Sequence, residues 1–208
     1  TMATVSAKVP DTMKSSYEST APLKINSFTV HDDHDMKRWL TVPEIYAYSS
    51  NIGAARMGLQ VGARRQKEFL EKLGMMQPVD IELPGRATPL YPSEWRDINT
   101  ATIAYGQGIS VTPLHLVRGI AAMVDGGVLP HLTLLRGGNE DRPEGERVIN
   151  ESVSKNVRRL MRLVVEHGTG AHADVPGYEV GGKTGTAQKA SHGRYVVGQR
   201  LSSFVGVF

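Results

Sequence analysis

Residues 180–188 read Val-Gly-Gly-Lys-Thr-Gly-Thr-Ala-Gln, and no other stretch restricts the fold as strongly. Three glycines open the backbone to close approach, while Lys183, Thr184 and Thr186 bring one ammonium and two hydroxyls. Tyr178-Glu179-Val180 ahead of it alternates and favours β structure, and apolar residues 201–208 behind it read as a second strand. With Ser191-His192-Gly193 as the turn, the chain closes on an antiparallel hairpin. Such a strand edge makes an anion-binding wall. The lysine supplies charge, the threonines donate hydrogen bonds, and Gly185 has no Cβ to hold a ligand away.

The remainder supplies helices to cover this hairpin. Thr41-Val42-Pro43-Glu44 is a capping box that opens a short helix through Ile45 and Tyr48 into Ser49-Ser50-Asn51. Asn51 is placed to cap a second helix over 52–61, stopped by Gly62, and a third spans 63–73 before Gly74. A proline-rich loop over 75–92 leads to a short helix at 93–103 and a glycine turn, Tyr105-Gly106-Gln107-Gly108. Thr112-Pro113 caps a helix over 114–124 with Leu114, Val117, Ala121 and Val124 on its apolar side, and Gly126-Gly127 stops it. A strand is expected at 132–135 and a charged loop at 137–145. The longest helix, 152–166, carries the stripe Val153, Val157, Leu160, Met161 and Val164, with Ser152 as its cap. Residues 1–40 read as an irregular lead-in with one short strand at 25–30. The chain thus divides into 1–40, a mainly helical part at 41–127, and a helix with antiparallel strands at 128–208. This is an α+β arrangement.

Composition removes several classes of function. A net charge of +3 without a long basic run gives no footprint for nucleic acid. The basic cluster Lys155, Arg158, Arg159 and Arg162 has helical spacing and reads as a solvated helix face. No cysteine is present, which removes thiol nucleophiles, disulfides and thiolate metal sites. His31-Asp32-Asp33-His34-Asp35 lacks an evident third ligand and reads as a surface turn, so no metal or other cofactor is expected. No apolar run approaches the roughly 20 residues of a membrane span.

Ser49-x-Asn51 and Lys183-Thr184-Gly185 are two members of a three-motif set whose third member is a nucleophilic Ser-x-x-Lys. The flanks extend the match: Ser49-Ser50-Asn51-Ile52-Gly53, Tyr105-Gly106-Gln107-Gly108 through Pro113-Leu114, Gly182 through Gln188, and Ser203-Phe204-Val205-Gly206 follow in order. From Asp32 onward the chain resembles the class B penicillin-binding proteins, most closely the septal cell-division transpeptidases of Gram-negative bacteria. The resemblance implies an incomplete penicillin-binding transpeptidase fold of the serine β-lactamase-like type, a helical subdomain beside an antiparallel sheet. It implies that Ser49 relays a proton to the leaving nitrogen, that Asn51 holds the substrate's side-chain amide, and that Lys183 holds the Ser49 hydroxyl. Thr184 and Thr186 would bind the ligand's carboxylate, with Gly185 between them, and the Thr186 N–H would form half of an oxyanion hole. Gln107 would border the groove.

One motif departs from the pattern. The family places Ser-x-x-Lys before Ser49, yet residues 1–48 contain none; the single instance, Ser152-Val153-Ser154-Lys155, comes after it. The expectation is a partial transpeptidase domain, truncated at both ends, with the nucleophile outside the chain and no activity alone. The implied partners are peptidoglycan stem peptides, β-lactams and divisome proteins including a lipid-linked glycan polymerase. The parent would sit on the periplasmic face of the inner membrane through an N-terminal anchor outside this chain. Two alternatives stand beside this reading. One is a serine β-lactamase or D-alanine carboxypeptidase, against which Glu82 lacks a companion asparagine and Ser50 replaces aspartate. The other is a non-catalytic β-lactam sensor or binding module.

Overall fold

The computed structural model describes residues 13–136, 144–191 and 194–208. From residue 13 onward the lead-in is more ordered than its composition suggests. Strand β1 (Ser16–Ser19) pairs antiparallel with β4 (Arg38–Thr41), and between them β2 (Leu23–Ile25) pairs with β3 (Phe28–Val30). The single strand expected at 25–30 is instead split by a two-residue turn. Asn26 there takes φ 53°, a left-handed value that asparagine tolerates better than most residues.

Helix α1 (Val42–Ala47) starts at the expected capping box: Glu44 Oε2 accepts from Thr41 N–H at 2.8 Å. Arg38 donates to the other oxygen at 2.7 Å, and this bond, with that from Thr41, holds the Glu44 carboxyl down to about 2. Helices α2 (Asn51–Val61) and α3 (Ala63–Lys72) follow, then α4 (Asp97–Ala104). Gly58 lets α2 meet α4, since a Cβ there would lie 2.5 Å from that of Ala104.

Helix α5 (Pro113–Val124) turns a different face inward from the one hydropathy suggests. His115, Gly119, Ala122 and Met123 are buried, whereas Val117 is 58% exposed and Leu114 39%. The reason lies in the partner surface. His115 Nε2 meets the Gln77 carbonyl at 2.8 Å, its Nδ1 meets Thr112 Oγ1 at 2.7 Å, and Met75 occupies the space over Gly119. Residues 132–135 form no strand; Thr133 Oγ1 and Leu134 N–H donate to the Glu82 carboxylate instead. Residues 137–143 of the expected charged loop lie outside the described residues.

Helix α6 (Glu151–His167) is the hub of the core. Val157, Leu160, Met161 and Val164 pack with Leu40, Val42, Ile45 and Tyr46 from β4 and α1, and with Ala122 and Met123 from α5. Val153 of the expected stripe is only partly buried, and Ser154 and Val165 take up the inward face. Asn150, not Ser152, is the N-cap residue; Ser152 lies in the first turn, exposed. The basic face is not wholly solvated. Arg162 donates to Glu166, Asp174 and the Val180 carbonyl, and Arg158 to the Val124 carbonyl and to Ser154 Oγ.

Strand β5 (Gly181–Ser191) runs antiparallel to β6 (Arg194–Val207), as the hairpin expectation required; His192 and Gly193 of the expected turn lie outside the described residues. The strand begins three residues later than expected. Tyr178 N–H closes a turn on the Val175 carbonyl, and Arg162 draws the Val180 carbonyl toward α6, so residues 178–180 join no ladder. The hairpin lies against α6 at Gly181, where a Cβ would approach Met161 to 3.2 Å. Helical layer and antiparallel hairpin together give the α+β fold expected.

Candidate active site

The turn that leaves α1 is a helix-ending motif in which the Ser50 N–H bonds back to the Ile45 carbonyl at 3.0 Å. This geometry demands a left-handed residue at position 49, usually glycine. Here it is serine, at φ 58°. A side chain kept where the backbone prefers none points to use of that side chain.

Ser50 is the N-cap of α2, and its Oγ accepts from Gly53 N–H at 3.0 Å. Asn51 is therefore the first residue of the helix rather than its cap, which corrects the sequence expectation. With Ser50 performing the capping, the side chains of Ser49 and Asn51 are released for other contacts. Asn51 Nδ2 donates to the His31 carbonyl at 3.0 Å, which leaves its Oδ1 to accept. Asp32 braces the same turn, accepting from Ser50 Oγ at 2.8 Å and from Ile52 N–H at 2.9 Å. The lead-in thus supplies the floor of this motif. Among the described residues no three histidine, aspartate or glutamate side chains gather as a metal site.

Strand β5 brings Lys183 to this turn. Lys183 Nζ donates to Ser49 Oγ at 2.8 Å across 134 residues of chain, and to the Thr184 carbonyl at 3.1 Å. It also lies 5.9 Å from the centroid of the buried Tyr46 ring, within cation–π range. Burial pushes the Lys183 ammonium down to about 8. The Tyr46 hydroxyl, pushed up by the same cause, has no hydrogen-bond partner among the described residues.

Thr184 Oγ1 lies 3.5 Å from Lys183 Nζ and 2.7 Å from Thr169 Oγ1, on the loop after α6. Thr186 is exposed. Gly185 faces the partner strand, where a Cβ would meet Ser203 Oγ at 2.6 Å; its lack of a side chain serves the hairpin as well as any ligand. Gly182 is needed more strictly, because a Cβ would lie 2.2 Å from the Phe204 ring. The structure thus joins Ser49, Lys183 and Thr184 in one hydrogen-bonded group, with Asn51 two residues from Ser49. Gln107 shares no hydrogen bond with them; its N–H closes the turn on the Thr102 carbonyl. Sequence reasoning missed Asp32, Tyr46 and Thr169. A Gly-Thr-Gly run directly after a helix was the one visible sign for the last of these; the other two carried none.

An ammonium that donates to a serine hydroxyl leaves that hydroxyl's own proton free for a third group. Such a group can pass a proton from Ser49, and the ammonium and hydroxyls beside it can hold an anion. The Glu82 carboxylate, which bears on the β-lactamase alternative, accepts from Thr133 Oγ1 and Leu134 N–H.

Comparisons with known proteins give one consistent family. Residues 5–208 match the model of the penicillin binding protein transpeptidase domain. A probable peptidoglycan D,D-transpeptidase FtsI from Caulobacter vibrioides is 37% identical over 202 residues, which covers 95% of this chain and 34% of that protein. The transpeptidase domain of Burkholderia pseudomallei penicillin-binding protein 3, an apo structure, superposes with a TM-score of 0.89 at 30% identity, covering 99% of this chain and 63% of that one. Penicillin-binding protein 3 from Mycobacterium tuberculosis, complexed with ampicillin, gives a TM-score of 0.87 at 27% identity, covering 99% and 51%. The chain spans about a third of the length of the curated relatives it matches. On the match across residues 5–208, the chain belongs to the penicillin-binding protein transpeptidase family, in its class B branch.

Proposed function

We propose that this chain forms part of a peptidoglycan D,D-transpeptidase that cross-links stem peptides during bacterial cell division and is acylated by β-lactams. The observation that carries the reading is the 2.8 Å bond from Lys183 Nζ to Ser49 Oγ, which unites two motifs 134 residues apart.

In this reading a serine outside these 208 residues attacks the carbonyl of the penultimate D-alanine. A bond forms from serine oxygen to carbonyl carbon, the bond to the terminal D-alanine nitrogen breaks, and the serine's proton passes to that nitrogen through the lysine of its own motif and Ser49. Lys183 donates to Ser49 Oγ and so directs the Ser49 proton toward the leaving nitrogen. Asn51 accepts from the amide of the bound peptide through Oδ1. Thr184 and Thr186 take the terminal carboxylate, and the Thr186 N–H faces the developing oxyanion. An amine from a second stem peptide then takes the acyl group. The names of the relatives support a peptidoglycan D,D-transpeptidase; in this reading it serves division, at the outer face of the inner membrane with other division proteins.

Intact mass after incubation with benzylpenicillin tests this. The 208-residue chain is expected to gain no adduct, and the full-length protein one. An adduct on Ser49 or Ser152 of the 208-residue chain would overturn the assignment of roles.

A further inference from the structure

We propose that Thr169 is a positioning residue that aims the Thr184 hydroxyl at the ligand's carboxylate. The inference rests on the reading above, in which Thr184 receives that carboxylate.

A threonine hydroxyl carries one proton and two acceptor lone pairs. An ionised carboxylate only accepts, so Thr184 must donate to it. Lys183 Nζ, 3.5 Å away, can only donate. The 2.7 Å contact between Thr169 Oγ1 and Thr184 Oγ1 then has one consistent direction, Thr169 donating and Thr184 accepting. With its acceptor sites facing Thr169 and Lys183, Thr184 holds its single proton toward the remaining open side. Both threonines also line a shallow cavity, with Phe204 and His172. Without the Thr169 hydroxyl the Thr184 rotor loses the group that fixes its direction. The chain of donors, Thr169 to Thr184 to carboxylate, also polarises each bond in turn.

The loop is built to hold Thr169 still. Its N–H donates to the Ala47 carbonyl at 3.1 Å, and the N–H groups of Gly168 and Gly170 both donate to the Val164 carbonyl, at 3.1 and 3.0 Å. Gly168 permits this approach, because a Cβ would stand 2.3 Å from the Ala47 oxygen. Ala47 ends α1, two residues before Ser49. One three-residue strap therefore touches both the serine turn and the lysine strand.

The test uses the full-length protein and two probes that differ only in the carboxylate, benzylpenicillin and its methyl ester. Thr169→Val is expected to lower the acylation rate constant for the acid about tenfold and that for the ester less than about twofold. Thr169→Ser, which restores a hydroxyl, should return the acid to within about threefold of the parent. Equal slowing of acid and ester by Thr169→Val, no slowing at all, or failure of Thr169→Ser to recover would overturn the inference. Thr184→Val separates the two levels. If it discriminates acid from ester while Thr169→Val does not, only the present inference falls; if it does not discriminate, the carboxylate assignment falls and this inference with it.

Discussion

Ser49 offers a sharp test, because its two roles pull in opposite directions. At φ 58° a residue with a Cβ is strained by about 1–2 kcal/mol relative to the right-handed region, whereas glycine visits this region freely. Replacing Ser49 by either alanine or glycine removes the hydroxyl that accepts from Lys183, so that loss is common to both variants. The difference between them isolates the backbone. Glycine relieves the strain but loses more entropy on folding, by roughly 0.5–1 kcal/mol. Ser49→Gly should therefore be more stable than Ser49→Ala by about 1 kcal/mol, or about 2–4 °C in Tm for a chain of this size. Equilibrium unfolding in urea measures the gap directly. In the full-length protein both variants should lose transpeptidation together, since neither can relay a proton. A Ser49→Gly chain no more stable than Ser49→Ala would refute the strain argument. Retained turnover in Ser49→Ala would refute the relay.

Three further outcomes are expected. Lys183 falls from 10.5 to about 8 on burial, so between those values the unfolded chain binds more protons and stability should rise with pH; in Lys183→Met that increment, about 3 kcal/mol at most, should vanish from urea midpoints taken across the interval. Asp32→Ala removes the acceptor for Ser50 Oγ and Ile52 N–H at the start of α2 and should cost about 1–3 kcal/mol by the same unfolding assay, with Asp32→Asn milder because an amide oxygen still accepts. Gly168→Ala sets a Cβ against the Ala47 carbonyl and should cost about 1–3 kcal/mol with a lowered Tm; an unchanged Tm would mean that the strap is not tightly held.

Each feature that the sequence conveyed well has a local cause. The capping box at Thr41 and the Thr112-Pro113 cap each fix a helix start from a few consecutive residues, and both helices begin there. The stripe of α6 fixes which face the core receives, within one residue at each end. Ser49, Asn51 and Lys183 were legible as motifs, and two of them meet. The strands of the lead-in were less legible, because runs of three or four residues carry almost no periodic signal.

What the tertiary structure alone decided is a set of pairings. Hydropathy favoured Leu114 and Val117 on α5, but a glycine and a histidine face inward because Met75 and the Gln77 carbonyl stand opposite them. Asp32 looked like a turn residue until α2 set Ser50 and Ile52 beside it, and the Thr169 hydroxyl has a partner only because β5 brings Thr184 to it. A residue's propensity to form a helix, strand or turn is a property of its own backbone and nearest neighbours, so it is written in the sequence. The partner of a hydroxyl or a carboxylate is set by whichever distant segment packs against it, and that choice exists only once the chain is folded.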